Sequence, residues 1–98
     1  MTEVVKLRAG ESLPEHGNHL VITRIGRVRG FDYYIDGSPA VEGRIGPRVP
    51  SGGPGYASLE TALKAAEALA EQHGVDTIYI QPDTVLIRPF YPGVIQPP

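Results

Sequence analysis

The stretch Ser58-Leu59-Glu60-Thr61-Ala62-Leu63-Lys64-Ala65-Ala66-Glu67-Ala68-Leu69-Ala70-Glu71-Gln72-His73-Gly74 decides how the rest of the chain is read. Leu59, Leu63, Ala66, Leu69, Ala70 and His73 recur at spacings of three and four, which gathers them on one stripe of a helix. Glu60, Lys64, Glu67 and Glu71 lie away from that stripe. Ser58 is an N-cap residue, Glu60 suits the positive pole of the helix dipole, and Gly74 supplies a left-handed stop. Alanine is the best helix former and lets a helix approach another layer closely. The spacing therefore predicts a helix from about Ser58 to His73, which at about 1.5 Å per residue spans roughly 24 Å, enough to cross a small sheet.

On the N-terminal side of this helix, Leu20 to Val28 and Phe31 to Ile35 read as strands around an Arg29-Gly30 turn. Phe31, Tyr33 and Ile35 alternate there with Asp32 and Tyr34. Asp36-Gly37 has the composition of a type I′ hairpin turn, and Val41, Gly43 and Ile45 alternate with Glu42 and Arg44 beyond it, which predicts a third strand. On the C-terminal side, Thr77 to Gln81 and Thr84 to Arg88 flank Gln81-Pro82-Asp83-Thr84, where proline takes the favoured second position of a type I turn. The order β-β-β-α-β-β, with one helix and no strand-helix-strand rhythm, predicts an α+β fold. It is read as a single domain over residues 1–98: an antiparallel β-meander and a C-terminal β-hairpin form one sheet, a single α-helix packs on one face, and Val4 to Arg8 adds an N-terminal edge strand. One helix covers one face, so the other is solvated, covered by the tail, or used for binding.

Of the 98 residues 41% are hydrophobic and 20% charged, which is globular composition. The net charge of -2 excludes an overall basic nucleic-acid arm, and no apolar run approaches the roughly 20 residues of a membrane span. With no cysteine, disulfides and thiolate chemistry are excluded. The N-terminal residues lack a signal-like apolar stretch, so the cytoplasm is the expected compartment. Glycine (12) and proline (10) are concentrated in two places, Gly46 to Gly55 and Pro89 to Pro98, and the rest of the chain is ordinary in both. A meander with one helix is a build common among small bacterial proteins, and no motif here names a family.

The first of those segments is a glycine loop running into a helix start, an arrangement able to hold an anion, with Arg48, Gly52, Gly53 and Ser58 as its residues. It lacks the Gly-Lys-Ser/Thr ending of a phosphate-binding loop, and its simpler reading is a connection. Arg24, Arg27, Arg29 and Arg48, with Tyr33, Tyr34 and Tyr56 close in sequence, form a candidate anion or nucleic-acid surface. Strand alternation, however, divides Arg24 from Arg27, and neither half of the chain is strongly basic. The second segment carries Phe90, Tyr91, Val94 and Ile95, too apolar for an indifferent linker; with Tyr33 and Tyr34 they are the candidate interface, packing on this chain or on another.

The catalytic inventory is thin. Glu15-His16-Gly17-Asn18-His19 lacks the helical spacing that turns two imidazoles toward one metal, and no third ligand is assignable. His73 reads as a helix-end residue, and Asp32, Asp36 and Glu42 as outward or turn acids of strands. No cofactor, metal or catalytic residue is assigned, and an enzyme of this size would need a site shared between chains. The favoured reading is a small non-catalytic protein-binding or self-associating module, a homodimer in the simplest case, using the uncovered sheet face, a sheet edge or the tail. The alternative is a nucleic-acid or anion binder built on the arginine cluster and the glycine loop.

Overall fold

Strand β2 (His19–Arg27) lies inside a four-stranded mixed sheet, and its Leu20, Ile22 and Ile25 are almost fully enclosed. The structure is a computed structural model describing residues 2–14, 17–28, 30–52 and 54–86, with the backbone alone for 83–86. β1 (Glu3–Lys6), β3 (Gly30–Gly37) and β4 (Thr77–Leu86) complete the sheet in the order β1-β4-β2-β3. β2 and β3 form the expected antiparallel hairpin, with Ile22 opposite Ile35 and Arg24 opposite Tyr33. The long helix α2 (Leu59–His73) packs on one face. The α+β class holds, and β1 is the N-terminal edge strand.

Two segments depart from the expected topology. Pro39–Ile45 is a short helix, α1, and not a third meander strand. Gly43 has no side chain, so the apparent alternation rested on Val41 and Ile45 alone, and a separation of four fits a helical face as well as a pleat. Pro39 at the first helical position and Arg44 in the last turn favour the helix, while the Ser38 hydroxyl at the N-cap donates to the Gly17 carbonyl at 2.7 Å and does not cap the helix end. Gly37 is then not a turn residue but a point of close approach. A Cβ there would stand 3.1 Å from the Glu42 nitrogen and from Val41 Cγ1, so α1 rests directly on the end of β3.

The C-terminal hairpin is one strand. β4 runs parallel to β1, Glu3 to Lys6 against Thr77 to Ile80, and parallel to β2, His19 to Ile22 against the same residues. The β2 register then jumps from Ile22 with Ile80 to Arg24 with Thr84. The residues expected to turn, Gln81, Pro82 and Asp83, form a bulge, where a proline with no N–H to donate is tolerated inside a sheet. Turning back would have placed 84–86 where β1 or β2 lies; instead β4 is sandwiched between them, and Ile78 is fully buried. The rest of the expected second strand, 87–88, and the tail with Phe90, Tyr91, Val94 and Ile95 lie outside the described residues.

The core sits between the sheet and α2. Ala62, Ala66 and Ala70, spaced by four, are buried against Leu20, Ile22, Ile35 and Ile78, with Leu59, Leu63 and Leu69 flanking. The centre of the helical stripe is thus the alanine row, whose small side chains bring the backbone close to the sheet. Ser58 Oγ accepts from the Thr61 N–H at 3.2 Å, and Gly74, at φ +66°, ends the helix. At that end Arg44 donates to the His73 carbonyl at 2.7 Å and Asn18 to the Gly74 carbonyl at 2.6 Å, which satisfies carbonyls that α2 leaves open and ties α1 to it.

The glycine-rich loop does more than connect. Tyr33 and Tyr56 exchange two backbone hydrogen bonds, at 2.9 and 2.8 Å, and Ile35 and Val49 two more, at 2.7 and 2.8 Å. The loop therefore closes the outer edge of β3. Gly55 is required by this approach, because a Cβ at that position would meet the Tyr33 carbonyl oxygen at 2.6 Å and the Tyr34 ring at 2.9 Å. Away from α2, His19, Val21, Thr23, Ile25 and Tyr34 are also buried, so the second sheet face is not bare along β2.

Candidate functional site

Along β2 and β3 the arginines separate as strand alternation requires. Arg24 stands on the α2 side across from Tyr33, with its guanidinium 4.7 Å from the centre of the Phe31 ring. Arg27 is on the other face. Its Nε donates to Asp32 Oδ2 at 2.9 Å and its Nη2 to the Tyr34 hydroxyl at 2.6 Å. Arg48 reaches that face from the loop, and its Nε and Nη2 grip the two Asp36 oxygens at 2.8 and 3.2 Å.

Tyr34 is held between these cations, its ring centre 5.8 Å from the Arg27 guanidinium carbon and 5.3 Å from that of Arg48. Thr23 donates to Asp36 at 3.1 Å, so Asp32, Arg27, Tyr34, Arg48, Asp36 and Thr23 form one connected string. The hydrogen bond that Arg27 donates to Asp32 raises its pKa, and the bonds that Arg48 donates to Asp36 raise that of Arg48, so both stay cationic. These two arginines are spent on carboxylates of their own chain. The hairpin register makes the Arg27 and Asp32 contact a diagonal cross-strand pair, a signal that same-face parity in the sequence could have supplied.

Of the other residues read as anion-binding, Ser58 caps α2 and Gly52 is exposed in the loop at φ +74°. Arg29 and Gly53 lie outside the described residues, as do Glu15 and His16. His19 is buried with its ring edge-on to Tyr79, centres 5.2 Å apart, and burial lowers its pKa. Among the described residues no group of three His, Cys, Asp or Glu side chains is placed to hold a metal.

Two hollows open on the α2 side. One, about 530 Å³, lies beside the C-terminal half of α2 and is lined by Thr2, Glu67, Glu71 and Asp76 among others, a shallow acidic surface. The other, about 190 Å³, lies where the sheet continues past the first residue of α2. Ile22, Ile80, Leu59 and Pro82 give it an apolar floor, Tyr33 a wall, and Lys6, Arg24 and Gln81 its polar groups. From the sequence, Lys6 and Gln81 have places in a strand and a turn but no functional role. They meet Arg24 only because β1, β4 and β2 run side by side in parallel, a long-range pairing that no local spacing carries.

The two sheet edges also differ. β3 is closed by the loop bonds described above. At the other edge β1 pairs only with β4, and among the described residues no strand lies outside it. Glu3 and Leu7 donate toward β4, to the carbonyls of Asp76 and Ile80, so alternation turns the N–H and C=O of Val4 and Lys6 outward. The Val4 side chain is 42% exposed. Compared with family models, curated proteins and solved structures, the chain matches none. No helix among the described residues is long and apolar enough to cross a membrane.

Proposed function

We propose that this chain is a non-catalytic binding module that takes a protein partner by strand addition at β1, and that the first such partner is a second copy of itself. The observation that carries this reading is the contrast between the edges: β3 is sealed by four backbone hydrogen bonds, whereas Val4 and Lys6 present donors and acceptors outward. An edge of that kind is a template for another strand. A two-fold pairing centred on Val5 sets Val4 opposite Lys6 of the second copy, uses the outward groups of both chains and keeps the two Lys6 charges apart. The face away from α2 is less suited, since its residues along β2 are already buried. Nucleic acid is also disfavoured: Arg27 and Arg48 are bonded to aspartates, on the opposite face from Arg24.

Sedimentation velocity tests this directly, with a dimer of the 10.6 kDa chain expected at high micromolar concentration. Val4→Pro removes an outward N–H that the β1 to β4 ladder does not use, and proline is tolerated at such an edge position. The expected result is at least about tenfold weaker association, a change of about 1.4 kcal/mol, with the unfolding midpoint extrapolated to the monomer little changed. A monomer at every concentration, or a dimer indifferent to Val4→Pro, would overturn the reading.

A further inference from the structure

We infer that Lys6 of each copy is received by the acidic hollow beside β1 of the other, so that charge laid out along the edge selects antiparallel pairing with a second copy of this chain. The inference rests on strand addition at β1 and adds what the incoming strand must carry, a cation at the position opposite Val4.

Charge is divided along β1. Val4 and Lys6 are in register with Ile78 and Ile80, which belong to the core under α2, so both stand on the α2 side of the sheet. Thr2 has the same parity and lines the hollow of about 530 Å³ together with Glu67, Glu71 and Asp76. Glu67 and Glu71, four residues apart, share the flank of α2 that borders the start of β1. All three acidic residues are exposed, and none is in an ion pair among the described residues. At the other end of the strand Lys6 is exposed and Arg8 follows it, although the Glu11 carboxylate, accepting from the Arg8 N–H at 2.6 Å, offsets part of that second charge. The edge therefore begins negative and ends positive.

A two-fold axis through Val5, perpendicular to the sheet, leaves both α2 helices on one face and turns each edge end for end. It sets Lys6 of the second copy opposite Val4 and Arg8 of the second copy opposite Thr2, about 4.8 Å outside β1 and beside the hollow. The four-carbon stem of lysine carries its ammonium across that offset toward Glu67 and Glu71, and the symmetry makes the contact twice. A parallel pairing of the two edges aligns the acidic ends with each other and the basic ends with each other, which is repulsive at both. The backbone alone accepts either direction, so the side-chain charges decide between them.

Charge reversal with complementation is the test, read by sedimentation velocity on the full-length chain. Lys6→Glu alone, and Glu67→Lys with Glu71→Lys in a second chain, each set like charges together in both contacts of their own dimer, so each should self-associate at least about tenfold more weakly than the parent. An equimolar mixture of the two restores opposite charges at both contacts, and its dimer should form with a Kd within about threefold of the parent's. The replaced side chains are exposed, and circular dichroism checks that both chains fold. If either does not, salt decides: raising ionic strength from about 0.01 to about 1 M should weaken the parent dimer about threefold or more and leave Lys6→Gln nearly unaffected. Reversed chains that self-associate as the parent does, a mixture no tighter than its components, or equal salt responses of parent and Lys6→Gln would each sink the inference, while strand addition would stand as long as Val4→Pro still dissociates the dimer. A parent chain that is monomeric throughout removes both.

Discussion

β3 presents different chemistry on its two sides. Toward α2 it turns Tyr33, Ile35 and Gly37, and Ile35 is fully enclosed by α1, α2 and its cross-strand partner Ile22. Away from α2 it turns Asp32, Tyr34 and Asp36, which carry the string of ion pairs and stacked guanidiniums. The apolar side is non-directional: it holds the layers together by excluded water and tolerates any close-packed arrangement of similar volume. The polar side is directional. Arg48 pairs with Asp36 while the adjacent Val49 is bonded to Ile35, so the ion pair and the backbone bridge favour the same path for the loop. One side supplies most of the stability and the other specifies where the loop lies.

That division can be broken from either side. Ile35→Ala should have the largest effect: it opens a cavity in the apolar layer and is expected to cost about 2–5 kcal/mol in urea denaturation. A loss below about 1 kcal/mol would mean that the layer is not close-packed at β3. On the other side, a double-mutant cycle on Arg48→Gln and Asp36→Asn should give a coupling of about 0.5–1 kcal/mol, because the pair is two-pronged but partly exposed to solvent. High salt should reduce it further. Amide exchange at Val49 and Ile35 should quicken in both single variants if the pair positions the loop, and an unchanged rate would reduce it to a surface contact.

How much of this was legible in the sequence follows from the range of the interactions. α2, its Ser58 cap and its Gly74 stop are local, and they were readable from spacing and residue type. So was the β2 to β3 hairpin, and with it the separation of Arg24 from Arg27. Pro39–Ile45 was ambiguous because glycine at the centre left two side chains to define a period. Gln81-Pro82-Asp83-Thr84 carries true turn chemistry, and it bulges because β1 and β2 hold β4 from both sides, a constraint arising more than fifty residues away in sequence. The small hollow was hidden for the same reason: Lys6, Arg24 and Gln81 become neighbours only through parallel pairing. Gly55 could not be distinguished from its loop companions either, since its need to be glycine comes from the Tyr33 carbonyl and the Tyr34 ring.

The smallest expected effect concerns His19, which lies on the same side of the sheet as Tyr34 and whose protonation is disfavoured by burial. Above its ordinary pKa of about 6.5 the imidazole is neutral in both folded and unfolded chains and adds no pH dependence. As pH falls below that value the unfolded chain takes up the proton first, so the folded state loses stability until pH passes the lowered folded pKa, where the loss levels off. Urea denaturation at pH 7.5 and at successive steps below 6.5 should therefore show a decline that is reduced in His19→Gln. If the decline is as steep in the variant, the proton is taken up elsewhere. If stability instead rises as the chain is acidified, His19 gains from its charge in the folded state and its packing against Tyr79 does not exclude the imidazolium.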